Sequence, residues 1–118
     1  MKRILVVDDS PIFLRTMSDI LKSEYEVDIA SSAMIALAQM SKRVPDLIFL
    51  DCEMPGIDGR ETFNMIRGTE EYRDIPIIFL TSVSDSQYIR SVLALRPAGY
   101  ILKPPSSSTL LETIKKFI

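Results

Sequence analysis

Five polar residues stand where apolar runs stop. Ile4–Val7 ends at Asp8 and Asp9, Leu47–Leu50 at Asp51, Ile77–Leu80 at Thr81, and Tyr100–Leu102 at Lys103. If these runs are neighbouring strands of one parallel sheet, the five side chains share its carboxyl edge, where ligands of open parallel sheets bind. Like charges at short range repel, and burial strengthens the repulsion. Three carboxylates together therefore require positive charge. A hard divalent cation would offset two of the charges and Lys103 the third. Magnesium suits such a site, because it keeps several waters and takes only one or two carboxylates. A carboxylate beside that cation can act as a covalent nucleophile and become an aspartyl phosphate. Such a transfer needs alignment and charge neutralisation more than proton shuttling. The Thr81 hydroxyl, Lys103 and loop N–H groups would surround the phosphoryl oxygens.

The totals narrow the chemistry in the same direction. The chain has 118 residues, no histidine and one cysteine, Cys52. Without histidine there is no Ser-His-Asp or Cys-His nucleophile, no His-ligated metal and no phosphoaccepting histidine. A single cysteine allows no internal disulfide, which suits a reducing cytosol. A net charge of −2 offers no basic surface for nucleic acid. No apolar run reaches the ~18 residues that would span a membrane. Asp8 also interrupts the first apolar stretch too early for a signal peptide. With 47% hydrophobic and 25% charged residues, the composition fits one globular domain over residues 1–118.

The elements that must position these residues alternate along the chain. Ile4–Val7 reads as a buried strand. Asp9 or Ser10 caps a helix running to about Lys22, with Pro11 in the first turn, where its missing N–H is not needed. Phe13, Leu14, Met17, Ile20 and Leu21 recur along it at helical spacing. Tyr25–Ile29 alternates with period two, as a half-exposed strand does. Ser31-Ser32 caps a second helix with Ala33, Ala36, Leu37 and Met40 on one face, ended by Val44-Pro45. Residues 46–51 and 75–82 read as buried strands. Between them lies a short helix containing Thr62, Phe63, Met65 and Ile66, ending near Gly68. Ser84–Leu95 is expected as a fourth helix with Ile89, Val92 and Leu93 inward, and Gly99–Leu102 as a fifth strand. Thr109–Ile118 is expected as a last helix with Leu110, Leu111, Ile114 and Phe117 on its apolar face. Strands apolar on both faces, separated by helices, predict a parallel sheet covered on both sides, with right-handed crossovers.

Each polar residue also has a plainer explanation. Asp8 and Asp9 can be a helix cap and a solvated neighbour, and Asp51 an ordinary loop acid. Thr81 or Ser82 can cap the following helix. Lys103 can be a surface charge, and Tyr100 a strand aromatic. Their joint occurrence at strand ends is what favours a common site.

The segments "VVDDSP" (6–11), "LDCEMPGIDG" (50–59), "LTS" (80–82) and "YILKP" (100–104), in this order, resemble the receiver domain of bacterial two-component response regulators. The resemblance covers essentially the whole chain. It implies a flavodoxin-like, doubly wound α/β fold, with a five-stranded parallel sheet in order 2-1-3-4-5 and five helices in a three-layer α/β/α arrangement. It implies that Asp51 is phosphorylated by a phosphohistidine on a sensor histidine kinase, or by a small donor such as acetyl phosphate. On the same ground Mg²⁺ is bound by Asp9 and Asp51, by Asp8 through water, and by the backbone carbonyl of Glu53. Lys103 would contact the phosphoryl group, Thr81 would be the switch hydroxyl, and Tyr100 the aromatic that follows it. Lys103-Pro104 would be a cis peptide, a form tolerated before proline. Glu53 and Val83 would flank the water that removes the phosphoryl group. The fourth helix, fifth strand and fifth helix would form the face read by an output domain or protein, with a homodimer on activation as one form of output. Such a protein is cytoplasmic, makes no membrane contact, and assists its own phosphorylation and dephosphorylation rather than turning over a substrate. Pro105 and the 95–100 turn depart from the usual pattern.

Two other readings fit parts of the pattern. A Mg²⁺-dependent phosphatase of the haloacid dehalogenase type also uses an aspartate nucleophile, but on the first strand of its motif, where this chain has the acid pair. A receiver-like binding module that works without phosphorylation would not need all five polar positions filled with chemically competent residues. A dinucleotide-binding domain is disfavoured, since no Gly-x-Gly-x-x-Gly follows the first strand.

Overall fold

A computed structural model of the chain describes residues 1–82 and 86–118. Among the described residues, five strands alternate with five helices: β1 (Arg3–Val7), α1 (Pro11–Leu21), β2 (Glu26–Ala30), α2 (Ala33–Lys42), β3 (Leu47–Asp51), α3 (Gly59–Arg67), β4 (Ile77–Thr81), α4 (Ser86–Leu93), β5 (Gly99–Leu102) and α5 (Ser107–Lys115). The strands pair in parallel in the order β2-β1-β3-β4-β5. This is the doubly wound, flavodoxin-like arrangement that the alternation and the resemblance imply.

The period of two along each strand divides the core into two layers. Leu5, Val7, Ile48, Leu50, Ile77 and Phe79 face the side covered by Ala36 and Met40 of α2, Phe63 and Ile66 of α3, and Val92 of α4. Their neighbours Ile4, Val6, Leu47, Phe49, Ile78 and Leu80 face Leu14, Met17 and Leu21 of α1 and Leu110 and Ile114 of α5. Both faces of β1, β3 and β4 are thus removed from water, which is why these strands read as unbroken apolar runs.

The helices begin where the sequence supplies an oxygen. Ser10, Ser32 and Ser106 cap α1, α2 and α5, each accepting a hydrogen bond from an N–H in the first turn. Asp58 and Glu61 form a reciprocal capping box at α3.

Several boundaries differ from expectation. β2 starts at Glu26, because the Tyr25 N–H is taken by the Leu21 carbonyl at the end of α1. α4 spans Ser86–Leu93, and its expected start at Ser84 lies outside the described residues. Leu93 points outward, 43% exposed, rather than inward. The inner stripe is instead Tyr88, Val92 and Leu95, spaced by four and three residues, which leaves Leu93 about 100° round the helix from Val92. α5 starts two residues earlier than Thr109 and ends at Lys115. Phe117 therefore lies past the helix and is 41% exposed. A 3₁₀ turn at Glu70–Tyr72 buries Tyr72, a feature too short to leave a periodic signal. In the 95–100 turn, Arg96 takes a left-handed backbone with φ 60°.

Phe49 is fully buried at the middle of β3. Phe49→Ala is expected to lower unfolding stability by about 3–5 kcal/mol, through lost burial and a residual cavity. The urea midpoint should fall with an unchanged slope.

Candidate functional site

The sheet register brings the carboxyl ends of β1, β3, β4 and β5 to one edge. Val7 pairs with Leu50, Asp51 with Leu80, and Thr81 with Leu102. Backbone bonds continue past the strand ends and fix the residues that follow. The Asp8 N–H donates to the Ala30 carbonyl at 3.0 Å, Cys52 N–H to Leu80 at 3.1 Å, and Lys103 N–H to Thr81 at 2.9 Å.

Asp8, Asp9 and Asp51 each offer a carboxylate oxygen such that the three lie within 4.8 Å of one another. Asp8 is fully buried and Asp51 is 4% exposed, while Asp9 is open to solvent. Lys103 reaches into the group from β5. Its Nζ donates to Asp8 Oδ2 at 2.5 Å and lies 3.2 Å from Asp51 Oδ1. The Lys103-Pro104 peptide bond is cis. Thr81 is buried at the end of β4, and Cys52, the residue after β3, is fully buried. Glu53 is exposed and its N–H donates to Asp51 Oδ1 at 3.4 Å.

The structure therefore gathers Asp8, Asp9, Asp51, Thr81 and Lys103 at one rim. Tyr100 is not part of that group. It pairs with Phe79, two residues down the strand from Thr81, and is 38% exposed. Val83 lies outside the described residues.

The electrostatics follow from this crowding. Burial pushes the Asp51 carboxyl up to about 6 from 3.8; the charge of Asp8 adds to the rise, and Lys103 and the Glu53 N–H oppose it. Burial works against the Lys103 ammonium, but its bond to Asp8 and the charges of Asp51 and Asp8 outweigh burial and hold the amine above its usual value. Burial likewise pushes the Cys52 thiol up to about 11, so it stays protonated and unreactive.

The loop after β3 is built to keep Asp51 in place. The Gly59 N–H donates to the Cys52 carbonyl at 2.9 Å. A Cβ on Gly59 would stand 2.1 Å from the Asp51 carbonyl oxygen, so only glycine lets α3 begin this close. Gly56 takes φ 76° at the turn of the same loop. A cleft of about 410 Å³ opens along the loop that follows β3, bounded by Cys52, Glu53, Met54, Arg60 and Tyr88. Arg60 crosses it, stacking 5.1 Å from the Tyr88 ring centroid and donating to Ser91 Oγ at 3.3 Å.

One participant escapes the sequence pattern. The ring of Phe13 lies under the Lys103 ammonium, with Nζ 4.5 Å from its centroid. By helical spacing Phe13 belongs with the core residues of α1, and half of its role is that. The signal that points further is its position in the first turn after the Asp8-Asp9 strand end, which faces the rim.

A doubly wound α/β domain with an acidic cluster and a lysine at its carboxyl edge is the class these features define. Residues 4–115 match the family described as response regulator receiver domain, and the chain belongs to that family of two-component signal transduction. It is 39% identical over 122 residues to a protein-glutamate methylesterase/protein-glutamine glutaminase of Trichodesmium erythraeum, matching 97% of this chain and 34% of that protein. It is 31% identical to the polar-differentiation response regulator DivK of Brucella suis, matching 99% of this chain and 96% of the relative. The structure of Vibrio cholerae chemotaxis protein CheY4 superposes with a TM-score of 0.92 at 31% identity, over 100% of this chain and 99% of that one. Similar stretches also lie within proteins named as histidine kinases, from Dictyostelium discoideum and Ectopseudomonas mendocina. The chain spans 34% and 25% of the lengths of the first two curated relatives it matches. Among the described residues, no helix is long and apolar enough to cross a membrane.

The raised Asp51 carboxyl carries a stability signature. The folded state binds this proton more tightly than the unfolded chain, so Asp51 removes stability as pH rises from 3.8 through about 6. In metal-free buffer, Asp51→Asn is expected to stabilise the protein at pH 7, with the gain shrinking as pH falls toward 4. Urea unfolding of both proteins across that range measures it. A gain independent of pH would contradict the raised value.

Proposed function

We propose that this domain accepts a phosphoryl group on Asp51 from the phosphohistidine of a sensor histidine kinase, and that the modification changes the surface formed by α4, β5 and α5. The observation that carries this reading is the meeting of Asp51 with Asp8, Asp9 and Lys103 at the carboxyl edge. In the transfer, an Asp51 carboxylate oxygen forms a bond to phosphorus as the phosphorus–nitrogen bond of the donor breaks. The departing imidazole keeps that electron pair.

The donor set fits a magnesium ion. It consists of carboxylate oxygens only, and three negative charges face a single ammonium. Asp8, Asp9 and Asp51 would hold the ion, with the Glu53 carbonyl as a further ligand. When bound, it supplies positive charge that offsets the carboxylates and the phosphoryl oxygens. Lys103 contributes the second cation. It is aimed by Asp8 and can pass from Asp51 Oδ1 to a phosphoryl oxygen with little movement. Burial of Asp51 excludes most water from the carboxylate, which strengthens each of these attractions.

The switch on this reading starts at Thr81. A phosphoryl group adds roughly −1.5 to −2 charge and three strong acceptors, by analogy with phosphoserine. The Thr81 hydroxyl would turn to donate to a phosphoryl oxygen. Tyr100 would move into the space released. The exposed apolar residues Leu93, Tyr100 and Leu102 lie on the face that would change, and phosphorylation shifts the population only by the difference between its contacts in the two states. An output partner or a second copy of the chain would read that face. Residues 1–118 act here as one receiver domain, in the cytoplasm where the kinase presents its phosphohistidine. The acid pair on β1 and the nucleophile on β3 favour this reading over that of a phosphatase, whose nucleophile stands on its first strand.

Incubation with labelled acetyl phosphate and Mg²⁺ is expected to label the protein on Asp51, and a chelator should abolish the labelling. Lys103→Met should slow it roughly 100-fold, in the range seen when one transition-state charge donor is removed. Undiminished labelling of Asp51→Asn would contradict the assignment.

A further inference from the structure

We propose that Phe13 is a positioning residue, whose ring holds the Lys103 ammonium over the aspartate cluster. This deepens the reading of Asp51 as phosphoacceptor with Lys103 beside it, and it rests on that reading.

Four contacts close a circuit. Asp8 Oδ1 accepts the Ser10 N–H at 2.9 Å. Ser10 Oγ accepts the Phe13 N–H at 3.2 Å. The Phe13 ring centroid lies 4.5 Å from Lys103 Nζ, and Nζ donates to Asp8 Oδ2 at 2.5 Å. The carboxylate of Asp8 thus holds both ends of the arrangement. One oxygen fixes the start of α1, which carries the ring, and the other holds the amine that the ring covers. The lysine comes from 95 residues away along the chain.

The ring matters because of what a lysine is. Its amine ends a flexible four-carbon stem with freely rotating donors. Asp8 and Asp51 restrain it by charge, but their oxygens are the same ones that a divalent ion would engage. With those oxygens shared, the pull of the carboxylates on Lys103 weakens. The aromatic face binds no hard cation of that kind in competition with carboxylates, so it is the restraint that is not shared. Phe13 is itself anchored, since it is half-buried against the layer formed by Ile4, Val6, Leu14 and Met17. The Lys103 side chain is only 19% exposed, which places the contact in the partly desolvated range where an ammonium over a ring counts most. A leucine or methionine would fill the core equally well. Neither would attract the amine.

The test separates the ring's charge distribution from its bulk. Phe13 is replaced by phenylalanines carrying one, two and three ring fluorines, which drain electron density from the face with little change in size. Two quantities are read. One is the rate of Asp51 labelling by acetyl phosphate with Mg²⁺. The other is the reactivity of the Lys103 amine toward acetic anhydride in metal-free protein, by mass spectrometry. Labelling is expected to slow stepwise, by about 3- to 10-fold over the series, and amine reactivity to rise in step. Phe13→Leu should match the trifluorinated protein, and in a Lys103→Met background fluorination should leave labelling unchanged. Rates and reactivities that stay flat across the series would overturn the proposal. If the unsubstituted protein takes no label on Asp51, the phosphoacceptor reading fails, and the metal-free amine reactivity still decides whether Phe13 holds Lys103.

Discussion

Three carboxylates and one ammonium share the carboxyl edge of a parallel sheet, and two of the carboxylates are shut off from solvent. Asp8 is sealed completely and Asp51 nearly so. Ionised together, they leave an excess of negative charge that Lys103 cannot cancel alone. The strain appears in the chemistry of the groups themselves, with the Asp51 carboxyl lifted to about 6 and the Lys103 amine held tightly as a cation. A fold selected only for stability would replace such a cluster with apolar residues of similar volume, which is often neutral or favourable. Its presence at the carboxyl edge of the sheet is the physical basis for the proposal of a cation-assisted phosphoacceptor site there.

Much of the remaining structure works to keep that imbalance from relaxing. Two apolar layers hold β1, β3 and β4 rigid from both sides. Ladder bonds run one residue beyond the strands and clamp Asp8, Cys52 and Lys103. Gly59 lets α3 begin against the Asp51 carbonyl. The cap of α1 is tied to the same carboxylate that binds Lys103. The site and the fold therefore share their supports, and Arg60 of α3 ties the helix that follows the Asp51 loop to Tyr88 and Ser91 of α4.

The fold was legible wherever burial on both faces left an unbroken apolar run, as in residues 47–50 and 77–80, and wherever a serine preceded a helical stripe, as at Ser10 and Ser32. The rim residues were legible for a related reason, because each is the first polar side chain after such a run or, for Asp9, the second. Leu93 and Phe117 were misplaced because hydrophobicity alone does not state the phase or the end of a short helix; Tyr88 and Leu95 take the inner positions that Leu93 seemed to fill. Phe13 was legible only as a core residue. Its second partner is a lysine at the far end of the chain, and no local pattern records a contact between a ring and an amine that the sheet topology brings together.

If the rim holds excess negative charge that a divalent ion relieves, binding of that ion must stabilise the folded state. Urea unfolding of the unphosphorylated protein at increasing Mg²⁺ tests this directly. The expected result is a stability that rises with concentration and, well above the dissociation constant, gains roughly 1.4 kcal/mol per tenfold increase, with the rise lost or greatly shifted in Asp9→Asn. Unfolding curves that do not move with Mg²⁺, at an ionic strength held constant, would contradict it.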